Sequence, residues 1–543
     1  MRRVAIPLAL MLAASGLGAP AHADEKVKRT EQCQGDWIPG TPTADDVMRG
    51  EISLVGQPPY KLGKKINWGA SPYKNRSWEF VFQSLRWVGT LVVAYENGGG
   101  ERYLERAKEI TKDWVVNNKR GARATKPYVW KDHPVSLRSQ ALICLSMHVN
   151  DGWLKDSLKE HATLLSNPAL YKKGHNHGID QDIALMGIGC RTGRKDWTSL
   201  AIKRLGGTVK LDVDSQGALM EQAPRYAVYV YGRLQVAMAN MRECGRKVPS
   251  DLTKRADALK DFIAHSTEPS GYMAPIGDGS AETEPKMEVG QPKEKVKVYK
   301  AGYVYGRSDW TKEAAYYSLR FGPGMKFHGH EDHLGVTYFA QGRDVLVDAG
   351  FHSYEKTSYR YWTLSPEAHN IPVVQGARFR PRTASKLTKS KIGKDRQSFT
   401  VTDKAYGVSR TRSVLVDHDG EGLMAVLDKA GSGKKLKNIW RFDPSLKEIS
   451  TGGGRVVLGD GKFKVTLLQF AGCKPVSGQK VERGGKLGWV SPTYLSKVPA
   501  SVVSSPARGE LLTVIVPGTD SPSVSCKGGK VTVNGVTFPA DLF

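Results

Sequence analysis

The sequence predicts a two-domain α+β chain, in which stacked helical hairpins form a ring or arc and an antiparallel β-sandwich follows. Three observations carry this. From about residue 68 to residue 265, apolar side chains recur every three or four positions, the spacing of a buried helix face. Beyond about residue 300 the texture changes to short β-branched and aromatic runs, punctuated by Gly- and Asp-rich turns, as in an antiparallel sandwich. Between the two, a change falls from Gly277 to Lys300, where Gly279-Ser280 and then residues 282–295, with two prolines and many charges, read as a linker or exposed loop.

Taken in order, the chain opens with Met1-Arg2-Arg3, an apolar run and then Ala21-His22-Ala23. That is the pattern of an export signal cleaved after Ala23, so the mature product is expected to be secreted or periplasmic. The expected division is residues 1–23 signal, 24–285 helical domain and 286–543 β-sandwich. Helices are predicted over residues 80–95, 103–116, 135–149, 180–190, 222–241 and 251–265, with Ser250 as the N-cap of the last. Asn97-Gly98-Gly99-Gly100 and Asn150-Asp151-Gly152 break the helical pattern. Strands are predicted at 316–321, 336–340, 345–347, 412–416, 423–427, 464–470, 511–516 and 531–533, with the basic stretch 378–396 as a long exposed loop. No stretch after the signal is long and apolar enough to insert in a membrane, so a soluble mature protein is expected.

Lys and Arg number 80 against 54 acidic residues, a net charge of +26. Such an excess attracts polyanions, and for an exported protein the expected partner is an acidic polysaccharide, with no nucleic acid. None of the six cysteines stands in a CxxC pair, which argues against thiolate metal sites and thioredoxin chemistry. After export they can form disulfides. Cys473 and Cys526 both lie in the strand-rich tail and could pair. Oligomeric state is not legible.

The richest stretch is Phe327-His328-Gly329-His330-Glu331-Asp332-His333, where three of thirteen histidines fall within six residues. Strands at 336–340 and 345–347, joined by a tight turn, would bring His330 beside Asp348, with His369 arriving on the following loop. Two imidazoles and a carboxylate suit a borderline divalent cation such as zinc. A lone histidine there would be a solvated strand end; the cluster favours a ligand set. The same string fits the HxHxDH pattern of two-zinc hydrolases. Those need two further histidines downstream, and only His418 follows His369. A third reading is a glycan-binding protein without turnover.

In the helical half, Gly174-His175-Asn176-His177-Gly178 precedes a predicted helix. It could receive an anion on side-chain donors and the helix start, or Asn176 could simply cap. Glu221-Gln222-Ala223-Pro224-Arg225-Tyr226 opens another helix, with Tyr226, Tyr229 and Arg233 roughly on one face. His133 with Arg138, and Arg86 with Trp87, could offer cationic and stacking contacts to sugars.

Taken together, His328-Gly-His330-Glu-Asp332, Asp348-Ala-Gly350 with Tyr354, and Ser365-Pro-Glu-Ala-His369-Asn370 resemble the second domain of the heparinase II/III-like polysaccharide lyases. Asn176-His177-Gly178 and Glu-x-x-Pro-x-Tyr226 resemble motifs of that family's helical domain, in the same order along the chain. Ala227 follows Tyr226 where the family usually has histidine. The resemblance implies an incomplete (α/α) toroid joined to a sandwich, with substrate in the cleft between them. It implies β-elimination on a uronic acid, which needs a group to neutralise the C5 carboxylate, a base for the C5 proton and an acid for the leaving O4. By resemblance Asn176 with His177 binds the carboxylate and Tyr226 is the acid. The base is His328 or a second tyrosine, with Tyr359 preferred over Tyr354 and Tyr361. His330, Asp348 and His369 would hold one structural zinc per chain.

Overall fold

A computed structural model describes residues 41–121, 128–285, 287–420 and 422–538; the expected signal segment lies outside the described residues. The helical half consists of α1 (Ala44–Met48), α2 (Arg76–Ser84), α3 (Gly89–Ala94), α4 (Glu101–Asn117), α5 (Asp132–Ser146), α6 (Gly152–Ser166), α7 (Asn176–Arg191), α8 (Lys195–Asp212), α9 (Pro224–Glu243) and α10 (Ser250–Ser266). Neighbours pack in sequence, α5 on α6 and α7, α7 on α8, and α9 on α10, around one apolar core. α6 and α8 lie where no helix was predicted. α10 has Pro249, rather than Ser250, at its N-cap.

The helix expected over 80–95 is broken. Leu85 is left-handed at φ 55°, and a 3-10 turn at Arg86–Val88 separates α2 from α3. A helix end exposes carbonyls that need donors. Here the Trp87 indole reaches the Phe82 carbonyl at 3.1 Å, and Arg138 Nη1 reaches that of Gln83 at 2.8 Å. Burial of Leu85 and Trp87 at 0% and 1% exposure offsets the left-handed residue.

The second half is a sandwich. One large antiparallel sheet runs, in spatial order, Lys447–Gly452, Arg455–Gly459, Lys464–Ala471, Glu510–Pro517, Leu423–Ala430, Arg410–Asp417, Arg396–Asp403 and Lys386–Ile392. Its inner face meets a five-stranded sheet, from Val296–Tyr299 to Arg343–Leu346, and a four-stranded one that includes Lys435–Arg441. Val304, Tyr338, Phe399, Val426, Trp440 and Ile515 interdigitate there. The outer face is covered by a small sheet, Val524–Lys527, Lys530–Val533 and Val536–Phe538, through Val531, Val533 and Phe538. Strand Lys386–Ile392 lies within the stretch expected to be loop. It is an edge strand with six of its seven residues exposed, so backbone pairing with Arg396–Asp403 defines it and no apolar alternation marks it.

Residues 277–280 lie inside the molecule and are not linker. Gly277 takes φ +60°, and a Cβ there would come within 2.5 Å of the carbonyl oxygens of Gln222 and His328. Only glycine fits that approach. The next amide, Asp278 N–H, donates to the His328 carbonyl at 2.8 Å. One backbone turn thereby joins the start of α9, the end of the helical half and the histidine-rich loop.

Candidate active site

A cleft of about 380 Å³ opens between the halves, and Asn176, His177, Tyr226, His328 and Tyr354 all line it. A second lobe of about 620 Å³ continues past Tyr226, with Arg225, Tyr229 and Tyr494 shared by both. The cleft thus extends to both sides of Tyr226.

Asn176 is the first residue of α7, and the cap is the preceding His175, whose ring accepts from the His177 amide at 3.1 Å. Asn176 is therefore not the cap. Its backbone N–H and side-chain amide donate to the two oxygens of Glu221 at 2.7 and 2.6 Å. Glu221 is fully buried and fixes the direction of that amide. His177 stacks on His133 at 3.7 Å and meets Asp132 at 3.3 Å. Burial alone would raise the Asp132 carboxyl, but the His177 hydrogen bond and nearby cationic groups hold it down to about 2. His133 is a wall residue. It is 4% exposed, its Nε2 lies 2.8 Å from Asp180, and burial followed by the charge of His177 lowers it to about 4.

The Tyr226 ring lies flat on the His328 imidazole, 3.6 Å between centroids and 9° between planes. Its hydroxyl meets that of Tyr354, which also stands 3.5 Å from His328 Nδ1. Burial first, and then the Asp278 charge, push the Tyr226 hydroxyl above its ordinary range. The second tyrosine of the cleft is thus Tyr354. Tyr359 lies elsewhere, its hydroxyl 3.1 Å from Ser491 and its ring stacked on Trp362, while Tyr361 is 58% exposed. The register of the short helix Ser358–Thr363 turns both away from the cleft.

Of the expected sugar contacts, Arg86 lines the second lobe. Trp87 and Arg138 are core residues. Arg138 is fully buried over the Trp114 ring at 3.8 Å and also donates to His161 and to the Val129 carbonyl. A buried guanidinium that satisfies helix-end carbonyls looks, in sequence, the same as one waiting for a ligand. Sequence reading also missed Asp278, which it left unremarked at the edge of the expected linker. It is 1% exposed and holds His328, His330 and Arg360 together. A Gly-Asp-Gly string signals only a turn, so nothing local marks this carboxylate.

His330, Asp348 and His369 each offer a ligand atom within 4.8 Å of one another. The His330 Nδ1 and His369 Nε2 atoms are buried with no protein partner. His369 Nδ1 lies 2.8 Å from Asp348 Oδ2, and with a further unpartnered nitrogen on each ring the cluster has the donors for one divalent ion. The other members of the HxHxDH string point elsewhere. Asp332 pairs with Arg320 at 3.3 Å, and His333 Nδ1 lies 3.2 Å from the Thr383 carbonyl. No two-metal centre forms among the described residues.

Fold and cleft define a helical toroid carrying a β-sandwich, with a histidine–tyrosine–asparagine site between the domains. The Heparinase II/III N-terminus family description matches residues 45–303, and the Heparinase II/III-like C-terminal description matches residues 291–518. The chain belongs to the heparinase II/III family. It is similar to the heparin-sulfate lyase of Bacteroides thetaiotaomicron, 23% identical over an alignment of 401 residues that covers 60% of this chain. The chain spans 56% of the length of that relative. Among solved structures it resembles Heparinase III, with a TM-score of 0.76, 18% identity and coverage of 97% of this chain and 93% of that one. It also resembles the heparan sulfate lyase HepC of Pedobacter heparinus, with a TM-score of 0.67, 18% identity and coverage of 94% and 88%. At these identities the structural likeness carries the fold.

Proposed function

We propose that the protein is an exported polysaccharide lyase that breaks a uronic-acid-containing acidic polysaccharide by β-elimination. Candidate polymers are a heparan-type glycosaminoglycan, alginate or a related polyuronate. The observation that carries this reading is the meeting of Asn176, Tyr226, His328 and Tyr354 in one cleft. The relatives bearing heparin- and heparan-sulfate lyase names support it.

In this reading the amide of Asn176, aimed by Glu221 and backed by His177, neutralises the C5 carboxylate. The C5 proton passes to the His328–Tyr354 pair, and the electron pair left at C5 is spread onto the neutralised carboxylate. That pair forms the C4–C5 double bond as the C4–O4 bond breaks, and Tyr226 gives O4 its proton. His330, Asp348 and His369 would hold one zinc, whose part is to fix the loops that carry His328. Metal analysis of the purified protein should return one zinc per chain. Two metals, with turnover tracking occupancy, would favour the hydrolase reading, and none would remove the ligand assignment.

The deciding experiment is absorbance at the ultraviolet edge during incubation with a panel of polyuronates. Elimination leaves a conjugated double bond and hydrolysis does not. New reducing ends without that absorbance would overturn the lyase reading. Binding without either product would favour a glycan-binding protein.

A further inference from the structure

Asp278 spends its two oxygens on two different rings. Oδ2 lies 3.0 Å from His328 Nδ1, and Oδ1 lies 3.0 Å from His330 Nε2. Arg360 Nη1 approaches the same Oδ1 at 2.6 Å, closer than its 3.3 Å to His330 Nε2, so its hydrogen bond goes to the carboxylate. A guanidinium at 2.6 Å, which stays charged, and two ring nitrogens at 3.0 Å surround this carboxyl, the setting of an ionised acceptor. An ionised carboxylate can only accept, so each ring must present an N–H to it. The nitrogens left over, His328 Nε2 and His330 Nδ1, are buried and have no hydrogen-bond partner. His328 lines the cleft, and His330 belongs to the three-residue cluster.

We propose that Asp278 is a positioning residue that sets both rings at once, holding the proton on His328 Nδ1 and on His330 Nε2. His328 Nε2 is then the acceptor available to the reaction, and His330 Nδ1 is the atom offered to a metal. Second-layer carboxylates commonly fix the tautomer of a histidine ligand in this way. Here one carboxylate does so for a ligand and for a cleft residue together. The His328 half of the inference rests on the lyase reading, while the His330 half does not. The arrangement also depends on the Gly277 turn, so the site forms only when the end of the helical half docks on the sandwich.

The test uses the full chain with its metal. Asp278→Asn keeps the shape and removes the charge, leaving one oxygen for two rings. Its kcat should fall by about 10–100-fold with KM within about twofold, and zinc should pass to a competing chelator about 10–100-fold more readily. In a His328→Ala background the same change should cost less than about threefold in residual kcat, because its route runs through that ring. Asp278→Glu keeps the Arg360 pair and the charge but displaces the oxygens. It should keep its thermal midpoint within a few degrees and still lose at least about tenfold in kcat. Wild-type kcat in both variants, or equal losses with and without His328, would overturn the proposal. If the parent cleaves no polyuronate, the lyase reading fails on its own. Nitrogen-15 NMR of the labelled histidine rings and the chelator competition then still decide, and unchanged tautomers with unchanged zinc release in Asp278→Asn would overturn it.

Discussion

A phenol that protonates a leaving oxygen must keep its proton until the bond breaks. In the proposed reaction Tyr226 has that part, half-buried, stacked on His328 and sharing a hydroxyl contact with Tyr354. Tyr226→Phe removes only the hydroxyl, so turnover should fall on the order of a hundredfold or more while oligosaccharide binding persists. Tyr359→Phe, whose hydroxyl meets Ser491 outside the cleft, should stay within about twofold. Equal turnover for Tyr226→Phe and the parent would make Tyr226 a packing residue. His133 yields a stability prediction. It is held neutral, its value lowered to about 4 by burial and then His177, against about 6.5 in an unfolded chain. Its contribution is complete above pH 6.5 and is lost as pH falls towards 4. The stability of the parent relative to His133→Gln should therefore drop by about 3 kcal/mol between pH 7 and pH 4. Denaturant titrations at each pH measure this, and parallel curves for the two proteins would refute it.

Individual elements were legible wherever a periodic apolar face or an alternating strand dominated. The strand predicted at 336–340 is observed as Val336–Ala340, and the one at 464–470 as Lys464–Ala471. The misses have separate causes. At Leu85, within α2's predicted run, tertiary burial overrides continuity, and at Lys386–Ile392 an exposed edge needs no apolar pattern. The expected pairing of Cys473 with Cys526 is present, and Cys190 pairs with Cys244. The first bond ties the small outer sheet to the end of strand Lys464–Ala471, across a separation of 53 residues. Replacing both of its cysteines by serine should cost about 2–4 kcal/mol and lower the melting temperature. Thiol titration of the denatured, unreduced parent should count fewer than six free thiols; a count of six, or an unchanged melting temperature in the double variant, would rule the bond out.

At the scale of the molecule, the two halves meet through buried polar groups. Glu268, after α10, shares a hydrogen bond with Asp344 on strand Arg343–Leu346. Burial and then the Asp443 charge raise Asp344 to about 7, and burial also raises Glu268. A raised carboxyl contributes stability that is complete below its unfolded value and is lost as pH rises through the folded one. The domain contact should therefore weaken as pH rises from about 4 to about 7. A falling melting temperature across that window, absent in Asp344→Asn, is the expected result; identical slopes would exclude the pair as the cause.

The sequence by itself determined the order of domains, eight of the strands and the cluster of His330, Asp348 and His369. These rest on local chemistry, periodicity, turn residues and clustered side chains, whereas Asn176, Tyr226 and His328 were singled out by resemblance to family motifs. Tertiary structure decided which long polar side chains face the cleft. Arg138 and Trp87 became core because a broken helix needed donors. Tyr354, rather than Tyr359, entered the cleft because the turn of one short helix points the latter at Ser491. Asp278 became the hub of the site because a glycine turn brings it under His328 across fifty residues of chain. Contacts of that range depend on how the domains dock, and no local pattern encodes them.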